Sequence, residues 1–155
     1  MNVRKYDSKD CKSIAELFHD TVHSVNAADY SETQLNAWAP KDIDLLEWDN
    51  ALSSNYSIVV EKDDTIIGFG VADNTGYFDR LYTHKDYQGI GVATLIADEI
   101  ERYFRRLGVQ IVTTAASITA KPFFEKRGYV VLTEQCVERR GELLVNYAMK
   151  KILST

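Results

Sequence analysis

The chain of 155 residues is poor in cysteine and proline, with two of each, and it has no long apolar run. Cys11 and Cys136 lie far apart and form no C-x-x-C pair, so we expect two reduced thiols rather than a disulfide framework. No stretch of about 18 apolar residues is present, which argues against a membrane-spanning helix. Residues 1–13, MNVRKYDSKDCKS, contain no apolar segment of the secretory type. These absences favour a cytoplasmic protein without a membrane partner.

Acidic residues outnumber basic ones, 23 to 18, and histidine is scarce. The net charge of −5 argues against a nucleic-acid partner, because proteins that bind nucleic acid usually present a basic face. The three histidines, His19, His23 and His84, do not follow any spacing typical of metal ligands, so we predict no metal site.

The composition is that of an ordinary globular protein. Hydrophobic residues make up 45% of the chain and charged residues 26%, and the length suits one domain with its own core. No repeat, low-complexity tract or linker-like stretch divides the sequence. We therefore expect residues 1–155 to form a single domain.

The spacing of apolar residues predicts alternating strands and helices. Apolar, β-branched runs that are interrupted by turn residues at 62–64 and 73–76 predict a three-strand antiparallel meander over 56–84. A strand, a helix and a second strand between about 77 and 115 imply a right-handed parallel crossover. The order therefore predicts an α/β (α+β) domain with a mixed sheet. The other predicted elements are a strand at 2–7, helices at 8–24, 31–39, 41–54, 91–107 and 118–127, a buried strand at 109–117, and a hairpin at 129–152.

The stretch YQGIGVAT, residues 87–94, leaves a strand, carries Gly89 and Gly91, and opens a helix. Free N–H groups and the positive end of the helix dipole favour an anion at such a place. A glycine turn without a ligand fits the spacing equally well. A P-loop is excluded because Val92-Ala93, and not a Lys-Ser/Thr pair, follows Gly91. A Rossmann site is excluded because the next parallel strand ends in TTAAS, without the acidic residue that binds ribose.

Two segments carry a resemblance to a known family. Residues 88–93, QGIGVA, are similar to the Gln/Arg-x-x-Gly-x-Gly/Ala signature of the GNAT superfamily of acyl-CoA-dependent N-acyltransferases. Residues 117–129, SITAKPFFEKRGY, resemble its Asn-x-x-Ala-x-x-Phe-Tyr-Glu-Lys-x-Gly-Phe segment. The element order agrees over nearly the whole chain, whereas the N-terminal third agrees in pattern only.

The resemblance implies a GNAT-like three-layer α/β/α domain, with a mostly antiparallel mixed sheet that splays at a cofactor cleft. It implies transfer of an acetyl group from acetyl-CoA to a primary amine by direct attack. The amine belongs to a small molecule or a protein, and homodimers are frequent in the family. A CoA-binding domain without transfer activity, acting as a sensor or partner-binding module, is the alternative.

The resemblance also assigns roles by position. Backbone amides of the loop and helix start are expected to bind the CoA pyrophosphate, and the preceding strand to bind the pantetheine arm. The Leu81 amide is expected to polarise the thioester carbonyl, a catalytic role for preorganised donors. The expected cofactor-binding residues are Leu81, Tyr82, Thr83, Gln88, Gly89, Ile90, Gly91, Val92, Ala93 and Thr94 on one side, and Ser117, Ala120, Phe123 and Phe124 on the other.

The sequence departs from the family where a proton donor is expected. Phe124 stands at the position of the usual tyrosine, and Ser117 replaces a frequent asparagine. Water can protonate a departing CoA thiolate, so neither change excludes transfer.

Asp79 is the leading candidate for the general base. Alternation along the strand predicts that Tyr77, Asp79, Leu81 and Thr83 share one face, with Tyr82 in the core on the other. An ion pair between Asp79 and Arg80 is the alternative interpretation. His23 and Tyr30 are weaker candidates.

Several other features have two interpretations each. Trp38 and Trp48 either shape an acceptor pocket or anchor the core, and the second is favoured. Lys126 and Arg127 either meet the 3′-phosphate of CoA or form a solvated helix end. Residues 138–140, ERR, are expected to be a hairpin tip.

Overall fold

A computed structural model describes residues 1–153 and contains five α-helices and seven β-strands within them. No helix in this part of the chain is both long and apolar enough to cross a membrane. The elements are β1 (Asn2–Lys5), α1 (Cys11–Ser24), α2 (Glu32–Trp38), α3 (Leu45–Ser53), β2 (Tyr56–Lys62), β3 (Thr65–Ala72), β4 (Tyr77–Thr83), α4 (Val92–Arg106), β5 (Ile111–Ser117), α5 (Lys121–Lys126), β6 (Val130–Arg139) and β7 (Glu142–Ile152).

The strands form one open sheet in the order β1-β2-β3-β4-β5-β7-β6. Neighbouring strands are antiparallel except β4 and β5, which are parallel and connected through α4. The predicted α/β fold class, meander, crossover and C-terminal hairpin are confirmed. The hairpin turns at Arg140-Gly141, as predicted.

Helices cover both faces of the sheet and create two cores. On one face, α1 buries Ile14, Leu17, Phe18 and Val22, the apolar positions that its helical spacing predicts. On the other face, α4 buries residues of its own apolar side, including Ile96, Ile100 and Phe104. Hereafter these are the α1 face and the α4 face.

Two details differ from the sequence prediction. The helix predicted at 8–24 begins with a separate 3-10 turn, Ser8–Asp10, which Asp7 caps through its side chain and the backbone N–H of Lys9. The predicted fully buried strand β5 alternates between buried and half-buried residues after an exposed Ile111. One side of this strand therefore borders solvent-accessible space rather than core.

A buried carboxylate links α4 to the C-terminal part of the fold. Glu101 is 1% exposed and lies 2.8 Å from both Arg127 Nε and Lys151 Nζ, while the hydroxyl of Tyr129 donates to it at 2.9 Å. Burial alone would raise the pKa of Glu101, but hydrogen bonds from the two cations outweigh burial and lower it. Its charge therefore stabilises the fold above the usual pKa of a glutamate, and this contribution is lost as the pH falls through the lowered value.

Replacing this carboxylate with an amide tests its contribution. We expect Glu101→Gln to lower the free energy of unfolding by about 2 kcal/mol at pH 7, because Arg127 and Lys151 lose their charged partner. The difference from the wild type should shrink as the pH falls below the usual pKa of a glutamate and through the lowered value, where the wild-type carboxylate also becomes neutral. Denaturant titrations in a series of buffers from pH 7 downward measure the difference at each pH, and a constant difference would contradict the assignment. Glu99→Gln is the control, because Glu99 lies on the same helix and forms a more exposed ion pair with Arg102.

Candidate functional site

The cleft opens where β4 and β5 separate. The two strands pair only at Tyr77–Thr113 and Phe78–Thr114, and the Thr114 hydroxyl donates to Phe78 O at 2.7 Å. Beyond this point a cavity of about 910 Å³ lies between the strands and extends to α1, α3 and the start of α4. The predicted splay of the sheet is therefore present.

A β-bulge at Asp79 shapes this edge of the cleft. In the pairing of β3 with β4, Val71 lies opposite Arg80 and Ala72 opposite Phe78, which leaves Asp79 as an extra residue. A bulge interrupts the alternation of side chains. Phe78 accordingly packs with the α4 face, whereas Arg80, two residues later, lies over Trp48 on the α1 face.

The predicted common face of Tyr77, Asp79, Leu81 and Thr83 is therefore broken at the bulge, because Phe78 before it and Leu81 after it both pack with the α4 face. The predicted placement of Leu81 and Tyr82 on opposite faces is kept. Leu81 packs with the α4 face and lies opposite Gly70, which faces Ile96. Tyr82 packs with the α1 face and stacks on Phe69, with ring centroids 5.5 Å apart. The extra residue in the strand causes the change, and Asp79 reaches the cleft from the bulge itself.

The backbone of β4 presents polar groups to the gap. The N–H of His84 donates to Ile67 on β3 at 2.8 Å, so residues at even positions point their N–H groups toward β3. Because these groups alternate between the two edges of a strand, the Leu81 amide faces the side where β5 has moved away. The Leu81 N–H is thus a donor at the cleft.

The loop that contains Gly89 and Gly91, hereafter the glycine loop, leads into a helix start without a side-chain cap. Helix α4 begins at Val92, and its first N–H with an intrahelical acceptor belongs to Leu95, which donates to Gly91 O at 3.0 Å. Gly91 has no side chain that caps the helix, and its φ of 92° lies in the left-handed region that favours glycine. Within residues 1–153, a Cβ at Gly89 or Gly91 would meet no atom within 4 Å other than those of the adjoining residues. The N–H groups at the start of α4 therefore face open space.

The loop is fastened to the end of β4 by a side chain. The Gln88 amide donates to Thr83 O at 2.8 Å and to His84 O at 3.3 Å. Thr21 of α1 donates to the same Thr83 oxygen at 2.9 Å. Gln88 thus sets the position of the loop, and its side-chain donors are already occupied.

The structure places nearly all residues of the predicted cofactor site around the one cleft. Ile90 is the exception, since its side chain is 48% exposed at the loop tip and does not line the cavity. On the β5 side, the Ser117 hydroxyl accepts from Ala120 N at 3.0 Å, and Phe124 is buried edge-on against Phe78. The lining residues from the prediction are Asp79, Leu81, Tyr82, Thr83, Gln88, Gly89, Gly91, Val92, Ala93, Thr94, Ser117, Ala120, Phe123 and Phe124.

Asp79 has the electrostatics of an accessible weak base. Partial burial raises the pKa of its carboxyl group, and the charge of Arg80 opposes this increase. Arg80 Nε lies 3.6 Å from Asp79 Oδ2, so the ion pair that the sequence left as an alternative does form. The contact is too long for a strong hydrogen bond, and Asp79 keeps 39% exposure of its side chain.

Three phenols line the cleft in addition to this carboxylate, those of Tyr30, Tyr77 and Tyr82. Burial raises the pKa of Tyr77 and, more strongly, that of Tyr82. Both hydroxyls are therefore protonated at neutral pH and are chemically able to donate a proton, which Phe124 is not. Tyr82, predicted to lie in the core, packs against the core of the α1 face but is half-buried and also lines the cleft.

The two weaker base candidates have structural contacts instead. His23 Nε2 lies 2.8 Å from Ala39 O, and His23 does not line the cleft. The Tyr30 hydroxyl donates to Val145 O at 2.5 Å and accepts from Ile118 N at 2.9 Å. Tyr30 therefore connects β7 to the segment after β5, and its oxygen is fully engaged.

The structure also gives the contacts of Arg127, of the two tryptophans and of the arginines at the hairpin tip. Arg127 pairs with Asp98 and Glu101, so its charge is committed within the fold.

Trp38 and Trp48 are half-buried and line the cleft, as do Arg139 and Arg140 near the hairpin tip. The Arg140 guanidinium donates to Ala37 O at 2.6 Å, which brings the tip against α2. Sequence spacing contains no signal for that contact, because 103 positions separate the two residues.

Comparisons with known proteins agree with this geometry. The family model described as an acetyltransferase (GNAT) domain matches residues 26–151. An Escherichia coli protein named uncharacterized N-acetyltransferase YafP is 30% identical over 150 residues, which cover 97% of this chain and 95% of that protein.

Two solved structures are similar over nearly their full length. The crystal structure of a GCN5-related N-acetyltransferase from Rhodopseudomonas palustris has a TM-score of 0.95 at 34% identity, covering 98% of this chain and 95% of that one. The PaiA N-acetyltransferase of Thermoplasma acidophilum, in complex with coenzyme A, has a TM-score of 0.79 at 18% identity and 98% coverage of both chains. The latter likeness concerns the fold alone.

Proposed function

The chain belongs to the GNAT acetyltransferase family, and from this premise we propose that it transfers the acetyl group of acetyl-CoA to a primary amine in the cleft between β4 and β5. One observation carries the proposal. The splayed strands, the Leu81 amide and the open start of α4 border a single cavity, so that a thioester and its pyrophosphate have donors along one continuous wall.

The start of α4 suits the pyrophosphate of the cofactor. Its unpaired N–H groups and the positive end of the helix dipole favour an anion, and Gly89 and Gly91 leave room for close approach. We assign the pyrophosphate to the backbone of residues 88–94, with the Thr94 hydroxyl beside it. Ser117, Ala120, Phe123 and Phe124 form the opposite wall, against the pantetheine arm.

Acetyl-CoA supplies an acyl group activated as a thioester. The amine nitrogen attacks the carbonyl carbon, and the Leu81 N–H stabilises the negative charge that develops on the carbonyl oxygen. Asp79 accepts the proton that the amine loses. The carbon–sulfur bond breaks, and the leaving thiolate takes a proton from water or from a phenol of the cleft wall, Tyr77 or Tyr82. The products are an amide and free CoA.

We infer that residues 1–155 act as one domain and that the protein works in the cytoplasm, where the free thiols of Cys11 and Cys136 suit a reducing environment. We also propose a homodimer. The edge strand β6 exposes Val130, Val131 and Leu132 next to one another, and such an edge favours pairing with a second chain.

Release of free CoA thiol from acetyl-CoA, measured across a panel of primary amines, tests the function. We expect thiol release that depends on the amine and a product heavier by one acetyl group in mass spectrometry. Acetyl-CoA without an amine is the control for hydrolysis. Binding of acetyl-CoA in calorimetry without thiol release from any amine would contradict transfer and support the CoA-binding alternative.

A further inference from the structure

An arginine that the family motifs do not include lies beside the proposed base. Arg80 follows the bulge, and its guanidinium carbon lies 4.6 Å from the centre of the Trp48 ring. It lies opposite Val71, whose side chain belongs to the core of the α1 face. The Trp48 ring therefore holds the guanidinium by a cation–π contact, on the side of the sheet away from α4 and the glycine loop.

The guanidinium is incompletely paired by the protein. Its ion-pair partner within residues 1–153 is Asp79, at 3.6 Å, and its Nη1 atom is buried without a hydrogen-bond partner there. A buried charged donor without a partner is costly. One other buried side-chain atom in the described residues shares this state, Asn146 Oδ1, and Asn146 lines the same cleft. Both residues line the cavity, and the Arg80 side chain as a whole keeps 27% exposure.

The charges around this side of the cleft have two signs. Arg80 lies on the inner wall, whereas Asp42, Asp44 and Glu47 are exposed where the loop before α3 and the start of α3 meet the cavity. An acidic rim favours an ammonium group, and a guanidinium favours an anionic oxygen group. This layout is complementary to a molecule that carries both.

We propose, on the basis of the acetyl transfer proposed above, that the acceptor amine also carries a carboxylate and that Arg80 binds this carboxylate. The planar fork of an arginine matches the two oxygens of a carboxylate. A dianion such as phosphate is disfavoured because the Asp79 carboxylate is adjacent. The unpaired Oδ1 of Asn146 accepts hydrogen bonds and therefore suits an N–H of the amine substrate rather than its carboxylate. Trp38 and Trp48 line the cavity and supply apolar surface for the body of the substrate.

The experiment compares acceptors that differ only in their charge. Each ω-amino acid of a series from three to six carbons is measured against its own carboxamide, and kcat/KM is determined for both. We expect the wild type to prefer the carboxylate by at least about 10-fold, the usual range for a hydrogen bond to a charged group. Arg80→Met should reduce the ratio to near one, and Arg80→Lys should keep part of it. The ratio cancels any effect of Arg80 on the pKa of Asp79.

Arg139→Met is the matched control, since it removes another positive charge that borders the cavity. Its ratio should stay near that of the wild type. An equal loss in Arg139→Met would show a general field rather than a local contact and would overturn the role of Arg80. Equal use of carboxylates and carboxamides by the wild type would overturn the substrate class, yet leave acetyl transfer in place.

A binding measurement covers the case in which no acceptor of the series reacts. The wild type, saturated with CoA, is titrated with hexanoate and with hexanamide and followed by its thermal unfolding midpoint. Stabilisation by hexanoate alone, lost in Arg80→Met, supports the carboxylate site even without turnover. No difference between the two compounds overturns it. Failure of CoA itself to bind would count against the proposed function instead.

Discussion

Gly91→Glu is expected to weaken acetyl-CoA binding at least about 100-fold, or roughly 2.7 kcal/mol, while the fold persists. Gly91 caps α4, and in the described part of the chain a Cβ added there meets no atom within 4 Å other than those of the adjoining residues, so the new side chain projects into the space proposed for pyrophosphate. Its carboxylate repels that anion at the positive end of the helix. Calorimetric titration with acetyl-CoA measures the effect.

Gly108→Glu is the control for this substitution. Gly108 follows the opposite end of α4, has a positive φ of 77°, and is also open around its Cβ position. Both variants therefore gain one negative charge and a similar backbone strain of roughly 1–2 kcal/mol. Only Gly91→Glu should lose affinity, although both should melt at a lower temperature than the wild type. Unchanged affinity in folded Gly91→Glu would reject the pyrophosphate assignment.

The second large effect is expected at Asp79. We expect Asp79→Asn to reduce kcat by about 100-fold, within the usual range for a general base, without weakening acetyl-CoA binding. Asparagine keeps the shape of the bulge residue and removes only its ability to accept a proton. Steady-state kinetics at saturating acetyl-CoA, together with a calorimetric titration, measure the two effects separately.

The pH dependence separates catalysis from structure. The raised pKa of Asp79 means that the fold favours its neutral form, so the ionised carboxylate is a stability cost above that pKa and not a gain. Asp79→Asn should therefore melt no lower than the wild type. The wild-type rate should fall as the pH drops through the raised pKa, because the base becomes protonated. The variant should lack that limb, and parallel profiles would reject the base role.

Asp64→Asn is the control for the loss of one acidic charge. Asp64 lies in the turn between β2 and β3, outside the cleft, with a positive φ that asparagine tolerates well. Its kinetics should match those of the wild type. A similar fall in both variants would indicate a general charge effect rather than proton transfer.

Much of the fold could be predicted because its local patterns agree with its tertiary packing. The meander of β2, β3 and β4 has apolar, β-branched runs separated by polar turns, and α4 has an apolar stripe that ends at a glycine. The glycine loop and the segment at 117–129 occur at a spacing that identifies both walls of the cleft. Such features lie within short stretches of chain, where spacing carries the information.

The bulge at Asp79 could not be predicted in this way. One extra residue leaves no mark in the composition of β4, yet it decides that Arg80 and Tyr82 lie on the α1 face of the sheet. The approach of Arg140 to Ala37 is also hidden, since it depends on how a distant hairpin packs against α2. Both depend on how strands pair and pack, which no single stretch encodes.

The short pairing of β4 with β5 has a mechanical consequence. The sheet consists of two hydrogen-bonded plates, β1 to β4 and β5 to β7, joined directly by two residue pairs at one corner. Widening the gap at the far end breaks no ladder bond, because none is formed there beyond Phe78. The two parts of the sheet can therefore adapt to a larger or smaller ligand by rotating about that corner, without breaking the pairing of any strand.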